Sequence, residues 1–127
     1  MDMIKFSTFP AEGNAGAATA QGFSPMVSGL IYKVVVAFEG GAPLSTHTTL
    51  TDVNDPAAEN VVDLTNVNSL TTLYPRRAQT TSTGSAATYN GTQWVPTPFP
   101  AHGPLRLTIS QSDPGSIATA TVYLIKG

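Results

Sequence analysis

PLRLTISQSDPGSIATATVYLIKG, residues 104–127, alternates apolar and polar side chains on both sides of a turn. Successive side chains of a strand point to opposite faces. The spacing therefore predicts Leu105, Leu107 and Ile109 on an inner face, with Arg106, Thr108 and Ser110 on an outer one. Asp113-Pro114-Gly115 then supplies a proline that presets φ and a glycine that tolerates positive φ, which is turn chemistry. The return leg predicts Ala118, Ala120, Val122 and Leu124 in the core opposite the leucines, leaving Thr119, Thr121 and Tyr123 outside. A two-residue period held on both legs describes a β protein with one face of each sheet buried.

The same period recurs upstream. In LIYKVVVAFEG, residues 30–40, strict alternation predicts Leu30, Tyr32, Val34, Val36 and Phe38 on one face. Ile31, Lys33, Val35, Ala37 and Glu39 would take the other, and Gly40-Gly41 with Pro43 ends the strand. ATYNGTQWV, residues 87–95, signals a hairpin, because Asn90-Gly91 suits a type I′ turn whose two central residues need positive φ. MIKFSTFP, ATAQGFSP, THTTLTDV, ENVVDLTNV and TTLYPRRAQ read as further strands or edge segments, with Ile4, Phe6 and Phe9 apolar in the first. VPTPFPAHGP holds four prolines and reads as an extended crossover poor in ladder hydrogen bonds. AEGNAGAATAQG, rich in small residues, reads as a mobile loop or an arm fixed by a partner. No helical period and no repeat of 20–50 residues intervenes. The expectation is all-β: a β-sandwich or jelly roll of about eight short antiparallel strands. Residues 1–27 form an extended N-terminal segment or arm, and residues 28–127 the sandwich.

Composition narrows the chemistry. Cysteine is absent, which removes disulfides, thiolate zinc sites and thiol catalysis. Charged residues make up 11% of the 127-residue chain, against about 25% in ordinary soluble domains. The formal net charge is −2, so the clustered basic face of a nucleic-acid binder is missing. No basic start leads into an apolar stretch, and no window approaches a membrane span, so synthesis in a cytoplasm with no membrane partner is expected.

Candidate sites were tested against their geometric needs. Asp52, Asn54 and Asp63 match three positions of a calcium loop, but Pro56 and Ala57 occupy places where a ligand and a glycine are required. His47 and His102 lack the spacing of paired metal ligands. No nucleophile elbow and no phosphate-cradling glycine loop is present. The sequence thus predicts no catalytic residue, no metal and no cofactor. Tyr89, Trp94 and Phe99 lie close in sequence and suggest a stacking platform for sugars, although burial of Trp94 in the core is the favoured reading. Arg76 and Arg77, in LYPRRAQTT, are the only adjacent cations. On a strand they would point to opposite faces, one tying the sheet and the other offered to a partner, which makes both candidate partner-contact residues.

KVVVAFEG, VVDLTNVNSLTTLYPRRAQTT, GSAATYNGTQWVP and GPLRLTISQSDPGSIATATVYLIKG together resemble the small virion structural proteins of tailed bacteriophages, of the capsid decoration or cement kind. That resemblance implies a non-enzymatic sandwich subunit on the capsid surface of a virion. Its partners would be the major capsid protein and copies of itself, as a homotrimer or homodimer. A tail, fibre or baseplate accessory subunit is the neighbouring alternative. A carbohydrate-binding β-sandwich module using Tyr89, Trp94 and Phe99 is the alternative from a different class.

Overall fold

The computed structural model describes residues 2–80, 82–88 and 96–125. These hold eleven strands and no helix: β1 (Asp2–Ser7), β2 (Ala18–Phe23), β3 (Val27–Glu39), β4 (His47–Asp52), β5 (Asn60–Thr65), β6 (Thr71–Leu73), β7 (Arg77–Ala78), β8 (Pro96–Thr97), β9 (Phe99–Gly103), β10 (Leu105–Ser112) and β11 (Ile117–Ile125). One sheet runs β1-β11-β3-β6, with β9 pairing the other half of long β3. The second runs β2-β10-β4-β5, and β7-β8 form a short ribbon. All pairings are antiparallel. The fold is the β-sandwich that the alternation predicts.

Its core lies between the two inner faces. Gly22, Leu107, Leu50 and Val62 form a row across the second sheet, and Ala20, Ile109, Thr48 and Leu64 form the next. The first sheet answers with Ile4, Val122, Val34 and Leu73, and with Phe6, Ala120 and Val36. Leu50, Leu107, Ile109, Val34, Val36, Ala120 and Val122 are fully buried. The two legs of residues 104–127 take the predicted faces at every position named above. Because β10 and β11 belong to different sheets, Asp113-Pro114-Gly115 is an arch between layers. Gly115 has φ of 89°, and the Ser116 amide donates to the Asp113 carbonyl at 3.2 Å.

Three expectations are corrected. First, β3 does not keep one phase. Tyr123 pairs Lys33 but Leu124 pairs Ile31, so Tyr32 is an extra residue with no partner on β11. This β-bulge switches the alternation. Val27 and Ile31 face the core on one side of it, and Val34 and Val36 on the other, while Leu30 turns outward. Second, the N-terminal segment is extended, as expected, but from Asp2 onward it belongs to the sandwich and is not a separate arm. β1 pairs β11 over six residues and β2 pairs β10, placing them in opposite sheets. The intervening loop is tied to the arch: the Ala11 amide donates to the Ser116 carbonyl, the Gly115 amide to the Ala11 carbonyl, and the Gly16 amide to the Asp113 carboxylate. Small residues are used here for close approach. Third, the proline-rich crossover is laddered, since β9 pairs β3 from Val27 to Ile31. It lies at the sheet edge, where the missing amide of Pro100 is tolerated. Phe9 is exposed, unlike Ile4 and Phe6. The Asn90-Gly91 hairpin lies outside the described residues.

Gly22 shows why a small residue is required. A Cβ there would overlap the Ser7 carbonyl oxygen and lie 2.7 Å from the Thr8 Cα, where the chain leaving β1 crosses beside β2. Those atoms are backbone and are held in place, because the Thr8 amide donates to the Ala118 carbonyl and the Phe9 amide to the Gln21 carbonyl. Gly22→Ala is therefore expected to cost about 2 kcal/mol through overpacking. A thermal melt should show a midpoint roughly 5–10 °C lower.

Candidate binding face

The bulge does more than correct the core register. By inserting Tyr32, it turns Tyr32 and Lys33, adjacent in sequence, to the outer side of the first sheet. Tyr123 comes outward from β11 beside Lys33, and Tyr74 follows the end of β6. The four side chains meet. The rings of Tyr32 and Tyr74 are edge to face, with centroids 5.7 Å apart and planes at 81°. The Lys33 Nζ lies 5.1 Å from the centre of the Tyr123 ring and 5.9 Å from that of Tyr74. Both distances lie within the range of cation–π attraction.

Arg76 closes the cluster. Its guanidinium carbon stands 5.4 Å from the Tyr32 ring centre, and its Nη1 donates to the Tyr32 carbonyl at 3.1 Å and the Pro75 carbonyl at 2.7 Å. A bulged residue has a carbonyl outside the regular ladder, and Arg76 supplies a donor to it. Tyr74 is 54% exposed, and Tyr32, Lys33, Arg76 and Tyr123 are half-buried. Three aromatic rings and two cations are thus held from below by strands while their upper surfaces meet solvent.

Arg77 goes elsewhere. Pro75 interrupts the strand, so the two arginines part at the break between β6 and β7 and not across a continuous strand. The Arg77 Nη1 meets the Glu59 Oε1 at 2.6 Å, and its guanidinium carbon lies 6.0 Å from the Phe99 ring centre. Both charged side chains are more than a third exposed, so this pair contributes little to stability. Each arginine named as a partner contact is therefore engaged by its own chain and still reaches solvent on one side.

A small polar pocket of about 190 Å³ lies beside Arg77, lined by Asp52, Glu59, Phe99 and His102 among others. Its aspartates serve the backbone. The Asp52 carboxylate accepts from the Asn54 amide at 3.0 Å and the His102 amide at 2.8 Å. Asp55 accepts from the amides of Ala57 and Glu59, closing the turn between β4 and β5. Asp63 is spent on His47, at 2.5 Å on the outer face of the second sheet. Asp52, Asn54 and Asp63 consequently do not converge, and among the described residues no group of three acids or histidines could hold a metal ion.

The aromatic platform named from the sequence is not assembled by the described residues. Phe99 pairs Ile31 and packs against the core, and Tyr89 and Trp94 lie outside the described residues. The rings that the described residues bring together on one face are Tyr32, Tyr74 and Tyr123 instead. One signal was available: Tyr32-Lys33 interrupts a run of β-branched and other apolar residues.

No protein-family model matches the chain, and no curated protein sequence matches it. Solved structures do. A chitosan-binding module from a chitosanase/glucanase of Paenibacillus sp. IK-5 superposes with a TM-score of 0.52 at 11% identity, covering 91% of this chain and 74% of that one. A family 32 carbohydrate-binding module from C. perfringens NanJ, in complex with galactose, gives 0.50 at 11% identity, covering 94% and 92%. FlhE gives 0.48 at 17% identity, covering 98% and 97%. At such identities the first two establish a shared β-sandwich architecture.

Proposed function

We propose that this chain is a non-catalytic binding module that holds a saccharide against the outer face of its first sheet. The observation that carries the reading is the cluster of Tyr32, Tyr74 and Tyr123 around Lys33 and Arg76. Sugar rings present C–H faces that stack on exposed aromatic rings, and their hydroxyls take hydrogen bonds from cationic donors. A bulge that brings two neighbouring residues to one face is a device for aiming side chains. Two of the superposed sandwiches, the chitosan-binding module and the galactose-bound module, support the same class of ligand.

Titration calorimetry against a panel of oligosaccharides tests the reading. Tyr74→Ala removes the most exposed ring of the cluster and no core contact. It is expected to weaken binding at least tenfold, about 1.4 kcal/mol, with an unchanged thermal midpoint. A panel without any ligand, or binding indifferent to Tyr74, overturns the reading.

A second reading rests on a different observation. Phe9 and Phe23, 75% and 53% exposed, line one shallow groove, and paired exposed rings on a charge-poor chain favour permanent neighbours. In that reading the protein is a phage virion subunit of the decoration type, or a tail accessory. Phe9 and Phe23, beside a shallow groove of about 890 Å³ over the second sheet, contact the capsid lattice or further copies of the chain. Sedimentation velocity showing a trimer or dimer, with retention on capsid shells, is its expected outcome. A monomer that ignores shells removes it.

A further inference from the structure

We infer that the ligand of the tyrosine cluster is an anionic saccharide, one whose sugar rings carry carboxylate groups. This rests on the saccharide reading of the same face. The cluster leaves its positive charge unanswered. The ion pairs among the described residues join His47 to Asp63 and Arg77 to Glu59. Among the described residues neither Lys33 nor Arg76 is joined to a carboxylate, and each lies over an aromatic ring instead. Arg76 uses Nη1 for its two carbonyl contacts. Its Nε and Nη2 donors remain for a ligand, and a guanidinium offers them in the fork that matches a carboxylate.

The rest of the face adds to this field. Lys5 pairs Thr121, which pairs Val35, so Lys5 sits on the same outer face one row from Lys33. Two strand spacings and two residues place their Cα atoms roughly 12 Å apart. Among the described residues the acid on this face is Glu39, which pairs Ile117 at the end of β3, about 20 Å from Lys33 at strand rise, and lines a shallow groove together with Lys5. A chain of net charge −2 has therefore set Lys33 and Arg76 among three tyrosines on the outer face of one sheet, with Lys5 one row away. Two cations on one face with no described carboxylate beside them create a local field that favours a negative ligand, and the rings beside them fit a ligand with flat apolar faces. A uronic-acid saccharide has both.

The test compares three probes by calorimetry at low and high salt: a galacturonate oligomer, a neutral galactose oligomer of equal length, and a sulfated galactose oligomer. The galacturonate oligomer is expected to bind at least tenfold more tightly than the neutral one in 50 mM salt, and the advantage should shrink severalfold in 500 mM salt as screening sets in. Lys33→Gln is expected to reduce galacturonate binding five- to tenfold while leaving the neutral oligomer unchanged, and Lys33→Arg to restore most of the loss. Equal binding of charged and neutral oligomers, or a preference indifferent to Lys33, overturns the inference. In that case binding of the neutral oligomer that still depends on Tyr74 leaves the saccharide reading standing. A preference for the sulfated over the carboxylated oligomer overturns the assignment to carboxylates. If no saccharide binds, both readings fall together.

Discussion

Leu107→Ala is expected to destabilise the fold by roughly 3–4 kcal/mol, a large share of the ~5–15 kcal/mol available to a domain. The position explains the size. Leu107 is fully buried at the centre of the row Gly22, Leu107, Leu50, Val62. One neighbour in that row has no side chain, and the backbone beside it is fixed by the hydrogen bonds around Thr8 and Phe9. Little can therefore collapse into the space a leucine vacates, and the cavity persists. Urea unfolding should show a lower midpoint with an unchanged slope. A thermal midpoint lower by about 10–15 °C should accompany it. Thr108→Ala, one residue away on the outer face, is expected to stay within about 0.5 kcal/mol. Comparable losses at both positions would show that the two layers do not share the core described.

That contrast was legible from residues 104–127 because each leg has a buried side and a wet side, so one phase satisfies both. β3 is different. Val34, Val35 and Val36 suit either face, and Leu30 and Ile31 are both apolar, so a change of phase between them costs nothing visible in hydrophobicity. Only the partner strand reveals it, where one step from Tyr123 to Leu124 answers two steps from Lys33 to Ile31. The candidate face was half legible for the same reason. Tyr74 and Arg76 stand in the conspicuous LYPRR stretch, but their companions come from β3 and β11, and nothing local aligns them. The small-residue segment after β1 misled in the opposite sense. Glycine and alanine there suggest freedom, whereas Gly22 is small because another part of the backbone crosses over it.

Deleting Tyr32 should leave a folded protein, whereas deleting Val35 should not. With Tyr32 removed, Lys33 follows Ile31 directly, just as Tyr123 is followed by Leu124 on the facing strand. The β9 ladder over Val27 to Ile31 and the β6 ladder over Val34 to Val36 both keep their partners. Ile31 and Val34 remain inward, so the core is intact and the expected loss is below about 2 kcal/mol. Deleting Val35 instead shifts the strand by one between two inward valines. A one-residue slip sends a strand's inner side chains to the outer face. Either Val36 leaves the core, or the bulge closes and Lys33 takes the inward place of Val34; Val34 and Val36 are both fully buried. Losing one such side chain from the core forfeits ~1.5–3 kcal/mol, and burying an ammonium in its place costs several more, so together they reach the ~5–15 kcal/mol available to a domain and should yield unfolded chain by circular dichroism. The first deletion isolates function from fold. It removes the Tyr32 ring and the carbonyl that Arg76 caps, so the folded variant should have lost saccharide binding. A bulge whose removal spares stability and abolishes binding is there for the ligand; one whose removal unfolds the chain is there for the sheet.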